Sequence, residues 1–225
     1  MSVEVTTRSD EDIKLDVTKQ LKWDARIDAS DVSITVDNGK VMISGQVPSL
    51  TAKSAATNDA YLVEGVSIVE NELNIEFPDT ETVPTDEQIK NNVVTALALD
   101  GDLKSYKIDV DVKQGWVTLE GTVNAYWEKI HAKNEVLELN GVIGVTNNLG
   151  VVPTGDYMDE SIAKDIVSAL ERNVNIFADD VNIRVENGNV TLEGTVETSK
   201  AKNAAFDSAL YTPGVVSVDN KIMVV

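Results

Sequence analysis

The side chains that could do chemistry in this chain are almost all carboxylates. Its 225 residues include 38 Asp and Glu, one histidine (His131) and no cysteine. The lack of cysteine excludes disulfides and thiolate metal sites, and a single histidine excludes any site that needs two imidazoles. Acidic residues open three predicted helices, where carboxylates satisfy free N–H groups and the helix dipole. We therefore predict a capping role for Asp10-Glu11-Asp12, Asp86-Glu87 and Asp159-Glu160.

Two short acidic loops are the remaining candidates for cation binding. Asp100-Gly101-Asp102 and Asp179-Asp180 lack the ligand series and bidentate Glu of an EF-hand loop, so adventitious binding is the most that they predict. His131 has no activated partner in any motif, which favours a surface or flanking position. The sequence has no Gly-x-Ser-x-Gly, phosphate-loop or dinucleotide-binding motif. These observations predict a protein that is not an enzyme, with no catalytic, cofactor-binding or metal-binding residues and no cofactor.

The charge of the chain limits its partners. The formal net charge is −19 at pH 7, and phosphate binding draws on Lys/Arg clusters that this sequence lacks. Nucleic acid is therefore an unfavourable partner, and anionic lipid surfaces repel the chain. No apolar run approaches the roughly 20 residues that span a bilayer, so no transmembrane segment is predicted. The N-terminus has no secretory signal pattern; the sequence as it stands predicts a cytoplasmic protein, and a periplasmic one if a leader has been removed.

A repeated hairpin organises the elements that must position these side chains. Apolar and polar residues alternate through 181–196 around a central Asn187-Gly188, and this alternation puts the apolar side chains on one face of a strand. Asn-Gly favours a type I′ turn because both residues accept a positive φ. The pattern recurs at 108–123 and 32–47. The sequence therefore predicts three β-hairpins, each with one buried face.

Helical patterns flank each hairpin. Before it, apolar residues recur every four positions, as in Ile13, Val17 and Leu21. After it, a second helix ends at a glycine, which favours the αL conformation beyond a helix C-terminus, and an alternating third strand follows. A helix between the second and third strands implies a parallel, right-handed connection if the two are neighbours.

We therefore predict an α+β protein of three tandem αββαβ modules, each with two helices packed on a three-stranded mixed sheet. The copies align without a gap at 9–76, 85–152 and 158–225. Proline-containing linkers at 77–84 and 153–157 join them and are expected to be extended and fairly stiff. Modules of this size bury only about 60% of their unfolded surface, so contacts between modules are expected.

Nine residues recur at matching positions and are predicted to be structural. A mid-strand glycine favours a bulge or close approach of the second helix, and a glycine after the second helix favours its termination. An asparagine falls on the apolar face of the third strand, where a buried amide needs hydrogen bonds. These residues are Gly45, Gly121 and Gly194, then Gly65, Gly141 and Gly214, and then Asn71, Asn147 and Asn220.

The aromatic residues do not follow the repeat. Trp116 and Trp127 stand where the other copies have polar residues, so both are expected at the surface or at a contact between modules. The predicted interaction patch, aromatic and locally basic, comprises Trp116, Tyr126, Trp127, Lys129 and Lys133. Such a patch is typical of protein or headgroup interfaces, and packing between modules is the alternative use of the same residues.

The repeated landmarks resemble the BON domain, a family named for bacterial osmotically induced and nodulation proteins. The resemblance is carried by the acidic helix starts, by Gly-Val pairs such as Gly65-Val66, and by a closing strand of the form Val-x-Asn-x-Leu/Ile. By the repeat limits above it covers about 90% of the chain. It implies an αββαβ fold, no known enzymatic activity, and roles in envelope integrity, osmotic stress and phospholipid or membrane-surface attachment. Many members of the family are periplasmic.

Sequence and resemblance together predict a non-enzymatic binding protein with a role in osmotic or envelope stress through phospholipid or membrane-surface association. Three weak modules on stiff linkers would act by avidity if their faces engage together. The alternative is a soluble protein-binding scaffold or chaperone-like protein with no lipid role. A third hypothesis, an enzyme that uses carboxylates, would need a cleft that gathers acids from two modules.

Overall fold

The computed structural model describes residues 8–77, 83–104 and 106–224, and its helices and strands recur in the predicted order. The first set is α1 (Asp10–Trp23), β1 (Val32–Asp37), β2 (Lys40–Val47), α2 (Leu50–Tyr61) and β3 (Ile68–Ile75). The second is α3 (Asp86–Leu99), β4 (Ile108–Lys113), β5 (Trp116–Val123), α4 (Tyr126–Leu137) and β6 (Gly144–Val151). The third is α5 (Asp159–Glu171), β7 (Val181–Glu186), β8 (Asn189–Val196), α6 (Ser199–Leu210) and a last strand in two pieces, β9 (Ser217–Asn220) and β10 (Met223–Val224). The α+β class is confirmed.

Each set forms its own mixed sheet, with the second strand of the hairpin at the centre. β2 pairs antiparallel with β1 and parallel with β3, and β5 pairs in the same way with β4 and β6. β8 is antiparallel to β7 and parallel to β9 and β10. The helix before the last strand carries the chain back to the starting end of the sheet, which a parallel pair requires. The predicted mixed sheets and parallel connection are therefore confirmed.

The hairpin turns have the backbone conformation that the Asn-Gly pairs predict. Asn38 and Gly39 have φ of 50° and 75°, and Asn187 and Gly188 have φ of 51° and 73°. Gln114 adopts φ 51° before Gly115, at 76°, so the turn forms even without asparagine. Positive φ at both central residues matches the twist of the flanking strands, which is why this turn type is favoured in hairpins with a two-residue loop.

The helices of each set pack on one face of its sheet. In the first set, alternate residues of β2 (Val41, Ile43 and Val47) are buried in one cluster with Ile13, Val17 and Leu21 of α1 and the alanines of α2. Alanine on α2 lets that helix lie close to the strands. The side chains between the buried positions, such as Lys40 and Met42, point to the opposite face and are exposed or half-buried. Each sheet therefore has one core face and one open face.

The described residues group into two compact units, one up to Thr85 together with 140–143, the other from Asp86 to Leu139 and from Gly144 onwards. The second unit contains two of the three sheets. Within it, Tyr126 of α4 packs against the core cluster of the third set, which includes Ile162, Ile166 and Leu192. The predicted linker 77–84 lies largely outside the described residues, whereas 153–157 lies inside them and forms no helix or strand.

Candidate functional site

The acidic helix starts bind the hairpin turns. Asp86 at the start of α3 accepts two backbone hydrogen bonds, from Gln114 N to Oδ2 (2.7 Å) and from Gly115 N to Oδ1 (2.8 Å). The same pair of bonds joins Asp10 to Asn38 and Gly39, and Asp159 to Asn187 and Gly188. A carboxylate with two oxygens satisfies two adjacent N–H groups that the turn leaves free. These three carboxylates are therefore committed to the fold.

The repeated asparagines tie the last strand of each set to the second helix. Asn147 Nδ2 donates to the backbone carbonyl of Lys129 in α4 (2.6 Å), and its Oδ1 accepts from Leu149 N (3.2 Å). Asn71 and Asn220 make the equivalent bonds to Lys53 and Lys202. A half-buried amide that uses both ends in this way is not available to a ligand.

The mid-strand glycines allow a close backbone approach. A Cβ on Gly121 (φ 134°) would lie 2.5 Å from the Lys107 carbonyl oxygen, just before β4. A Cβ on Gly45 or Gly194 would clash in the same way with the carbonyl oxygen of Asp31 or Asp180. The nearest atoms thus belong to the approach to the first strand of the hairpin and not to the second helix. Gly65, Gly141 and Gly214 have φ of 87–90° beyond the second helices.

The predicted interaction patch is divided between the two sides of one sheet. Val117 and Leu119 of β5 point into the core, so Trp116 projects from the open face. There its ring lies over Gly144, and Nε1 donates to Thr146 Oγ1 at 2.8 Å. Trp127 belongs to α4, which packs on the core face, and its ring centroid lies 6.2 Å from that of His131. The structure therefore does not bring the two tryptophans together.

The remaining patch residues share one face of α4. Tyr126, Lys129 and Lys133 follow three- and four-residue spacing, which places them on adjacent turns, and all three are half-buried. Tyr126 packs against the third set, as described above. The tyrosine thus serves contact between modules, which was the alternative use of these residues.

The corner between the first helix and the first strand differs chemically from copy to copy. In the first set Asp24 follows α1 and accepts from Arg26 N (2.9 Å) and from the Arg26 guanidinium. These bonds lower the pKa of Asp24 to about 2. Asp59 of α2 lies beside it, almost fully buried, and burial, reinforced by the Asp24 carboxyl, raises the pKa of Asp59. A low and a high pKa on neighbouring carboxyls indicate that this pair holds a proton more readily than two isolated acids.

In the second set the same corner joins Asp100 to His131. His131 Nε2 lies 2.9 Å from Asp100 Oδ2, while Asp100 Oδ1 accepts from the backbone N–H of Asp102 and of Leu103, both at 2.9 Å. Burial opposes ionisation of Asp100, but the hydrogen bonds from His131 and the two N–H groups outweigh it and lower the pKa of Asp100. His131 is therefore half-buried with an acidic partner 31 residues away in sequence, a contact that no sequence motif predicted.

Large apolar side chains are exposed at this corner in every set. Trp23 and Leu99, the last residues of α1 and α3, are 78% and 79% exposed. In the third set the loop after α5 carries Val174 and Phe177, 98% and 77% exposed. We call these four side chains the apolar corners. They were not predicted from the sequence, although Trp23 and Leu99 stand two residues beyond the buried stripes that end at Leu21 and Leu97.

Together these features define the class of protein: small modules of two helices on a three-stranded sheet, repeated in tandem. The polar side chains described above chiefly join the elements within each module. No helix among the described residues is long and apolar enough to cross a bilayer. The chain belongs to the BON domain family, whose sequence profile matches residues 9–76, 85–153 and 158–225.

Several relatives share this family. The chain is 33% identical over 120 residues to the outer membrane lipoprotein DolP of Haemophilus influenzae, covering 52% of this chain and 62% of that protein. It is 30% identical over 131 residues to the 21 kDa hemolysin of Actinobacillus pleuropneumoniae, covering 57% and 65%. It is 29% identical over 143 residues to osmotically-inducible protein Y of Escherichia coli, covering 61% and 71%. The chain thus spans less than two thirds of the length of the first two relatives.

A solved structure of CdsD, a structural protein of the type III secretion system of Chlamydia trachomatis, aligns over 95% of this chain and 92% of that one. The identity is 16% and the TM-score is 0.26, so no conclusion about this protein rests on it.

Proposed function

We propose that this protein is a non-enzymatic binding protein that acts in osmotic or envelope stress by association with a phospholipid or membrane surface. The names of its relatives support this proposal, since one is an outer membrane lipoprotein and another is osmotically inducible. The same names favour an envelope location, the periplasmic alternative, over the cytoplasm. The alignments cover only part of each relative, so we extend the roles of the relatives to this chain only as part of the proposal.

The observation that carries the proposal is the repeated apolar corner. Full burial of a Leu, Val or Phe side chain contributes about 1.5–3 kcal/mol, so one corner gives a weak, reversible contact. Several corners on one chain raise the overall affinity when they engage the same surface. The net charge of −19 opposes anionic lipid, which makes zwitterionic lipid the preferred surface.

Vesicle flotation tests this proposal. We expect the full chain to float with phosphatidylcholine vesicles and to float less with vesicles that contain phosphatidylglycerol. The triple variant Trp23→Ser, Leu99→Ser, Phe177→Ser should reduce flotation at least fivefold. The matched control is Leu15→Ser, Val94→Ser, Val167→Ser, which removes exposed apolar side chains from α1, α3 and α5 away from the corners.

No flotation with either lipid would contradict the lipid role. Equal loss in the control variant would assign binding to the helix faces instead of the corners.

A protein-binding scaffold is the second candidate, and a groove in the first set favours it. Trp23 and Val63 line this open groove together with charged side chains, among them Arg8, which forms an ion pair with Asp16 and donates to the Glu64 carbonyl (2.9 Å). Mixed apolar and charged lining suits a polypeptide. If flotation fails while Trp23→Ser abolishes suppression of aggregation of an unfolded client protein, this second function replaces the first.

A further inference from the structure

The loop after α3 and the facing side of α4 bring together three potential metal ligands. One carboxylate oxygen of Asp100, one of Asp102 and a ring nitrogen of His131 all lie within 4.8 Å of one another. Asp100 and His131 are half-buried and Asp102 is exposed. Imidazole with two carboxylates is a donor set for borderline divalent metals, whereas an EF-hand loop uses oxygen ligands only.

The Asp100 carboxylate is already held in position for such a role. Its Oδ1 accepts from two backbone N–H groups, which leaves Oδ2 directed at His131 Nε2, 2.9 Å away. Hydrogen bonds of this kind orient a ligating carboxylate and help to keep it ionised. Asp100 and His131 are therefore already neighbours before any ion arrives, at a separation slightly shorter than that of two ligands of one ion.

The other two copies show what this corner does without a metal. At the position of Asp102 the first copy has Arg26, whose guanidinium binds the carboxylate of Asp24, the counterpart of Asp100. The third copy has Asn173 and Asn175, which are neutral, and at the position of His131 both copies have alanine. In the second copy a fixed cation is thus replaced by a second carboxylate and an imidazole. Among the described residues, no lysine or arginine pairs with Asp100 or Asp102.

We infer that Asp100, Asp102 and His131 form a binding site for one borderline divalent metal ion of the zinc type. Zinc ligands at about 2.0–2.2 Å from the ion stand roughly 3.4 Å apart in a tetrahedral arrangement. To meet that requirement Asp100 Oδ2 and His131 Nε2, now 2.9 Å apart, separate slightly, and the exposed Asp102 side chain turns towards them. Water completes the coordination, since three protein ligands leave a position open. The bound ion takes the place that the Arg26 guanidinium occupies in the first copy and joins the loop to α4.

Zinc titration of the full chain tests this inference, with calorimetry for affinity and the imidazole NMR signals for location. Because His131 is the only histidine, its signals need no separate assignment. We expect one saturable zinc site per chain and a shift of the His131 signals on saturation. His131→Ala and Asp102→Asn should each weaken binding at least tenfold.

The chain offers controls for both variants. His131→Ala introduces the residue that the other copies carry at this position, Ala55 and Ala204, so it is compatible with the fold. Asp109→Asn removes an exposed carboxylate from β4 outside the cluster and should leave zinc binding unchanged. Zinc binding by His131→Ala at the affinity of the unmodified chain, or His131 signals that do not move, would show adventitious binding to surface carboxylates and overturn the inference. Tighter binding of Ca²⁺ than of Zn²⁺ would overturn it as well.

Discussion

At the scale of single residues, Asp59 of the acid pair in the first set is the clearest case of a buried side chain that destabilises the folded state. Asp59 is 4% exposed, and its Oδ2 has no hydrogen-bond partner among the described residues. An ionised carboxyl in such a position loses hydration without full compensation. Asp24 next to it has the opposite situation, because Arg26 stabilises its ionised form. As pH rises, the contributions of the two carboxyls to stability therefore change in opposite directions.

Replacement of Asp59 by asparagine should stabilise the first set at neutral pH and have little effect in acid. The raised pKa of Asp59 means that the folded state holds its proton more tightly than the unfolded state, with its ordinary value of 3.8. The contribution of Asp59 to stability is therefore fully present below pH 3.8 and is lost as pH rises through the raised pKa. We expect Asp59→Asn to raise the free energy of unfolding by about 1 kcal/mol at pH 8, because the amide carries no charge that burial would desolvate, measured by urea denaturation at pH 4 and pH 8.

The exposed carboxylate Glu72 provides the control, since Glu72→Gln should change stability at neither pH. A gain for Asp59→Asn that is as large at pH 4 as at pH 8 would contradict the pH argument.

Asp24 affects stability in a different pH range. Its lowered pKa contributes stability above pH 3.8, which is lost as pH falls through about 2.

At the scale of elements, each first helix is attached to its hairpin through one aspartate. The carboxylates of Asp10, Asp86 and Asp159 reach turn residues 28 and 29 positions further along the chain. A side chain that only complemented the helix dipole would tolerate exchange with its acidic neighbour, because the dipole acts on any charge in the first turn. A side chain that accepts two defined N–H bonds would not.

Asp159→Ala should therefore destabilise the third set far more than Glu160→Ala. Loss of the carboxylate leaves the N–H groups of Asn187 and Gly188 without their partner, at a cost of about 1–3 kcal/mol. Glu160 is exposed in the same helical turn, and its removal should cost about 0.5 kcal/mol through the dipole alone. Chemical denaturation of both variants measures the difference. Equal, small losses would return Asp159 to the role of a dipole residue.

A second example at this scale is the start of α4, where the second copy has no capping hydroxyl and holds the helix start in another way. Ser49 and Thr198 cap α2 and α6 with their hydroxyls, but the second copy has Ala125. There Glu128 folds back to accept from Asn124 N and Ala125 N, both at 2.9 Å, and Tyr106 donates to the same carboxylate. Glu128 thus fixes the start of α4 through the N–H groups of Asn124 and Ala125, whereas the hydroxyl caps bind an N–H inside the helix, that of Ala52 or Ala201.

At the scale of the whole molecule, the second and third sets belong to one compact unit. Tyr126 of α4 packs against the core cluster of the third set. Small modules gain stability from neighbours because each alone buries a modest share of its surface. The third set should therefore depend on a side chain of the second.

Tyr126→Ala should lower the stability of the third set by about 1–2 kcal/mol, because a half-buried aromatic contact is lost. Amide hydrogen exchange of β8, the central strand of the third sheet, measures this effect without interference from the other sets. Tyr211→Ala is the control, since Tyr211 is largely exposed. Unchanged exchange in β8 for Tyr126→Ala would show that the two sets fold independently.

The sequence by itself determined the elements, their order, the family and the turn type. Alternation, four-residue apolar spacing and Asn-Gly pairs report on backbone geometry within a few residues, and a threefold repeat made each pattern visible three times. The non-enzymatic character remained a hypothesis because a missing motif is weak evidence.

Only the tertiary structure decided which side chains meet across the fold. It placed Trp116 on the open face and Trp127 with the helices, joined His131 to Asp100, and gave the aspartates at the helix starts their partners in the turns. The alternation in β5 predicts that Trp116 points away from Val117 and Leu119, which face the core. Because both helices of the set pack on the core face, the alternation could also have predicted that Trp116 lies on the side opposite α4. The other contacts join residues about 30 positions apart, and packing of helix on sheet, which no local pattern encodes, sets those distances.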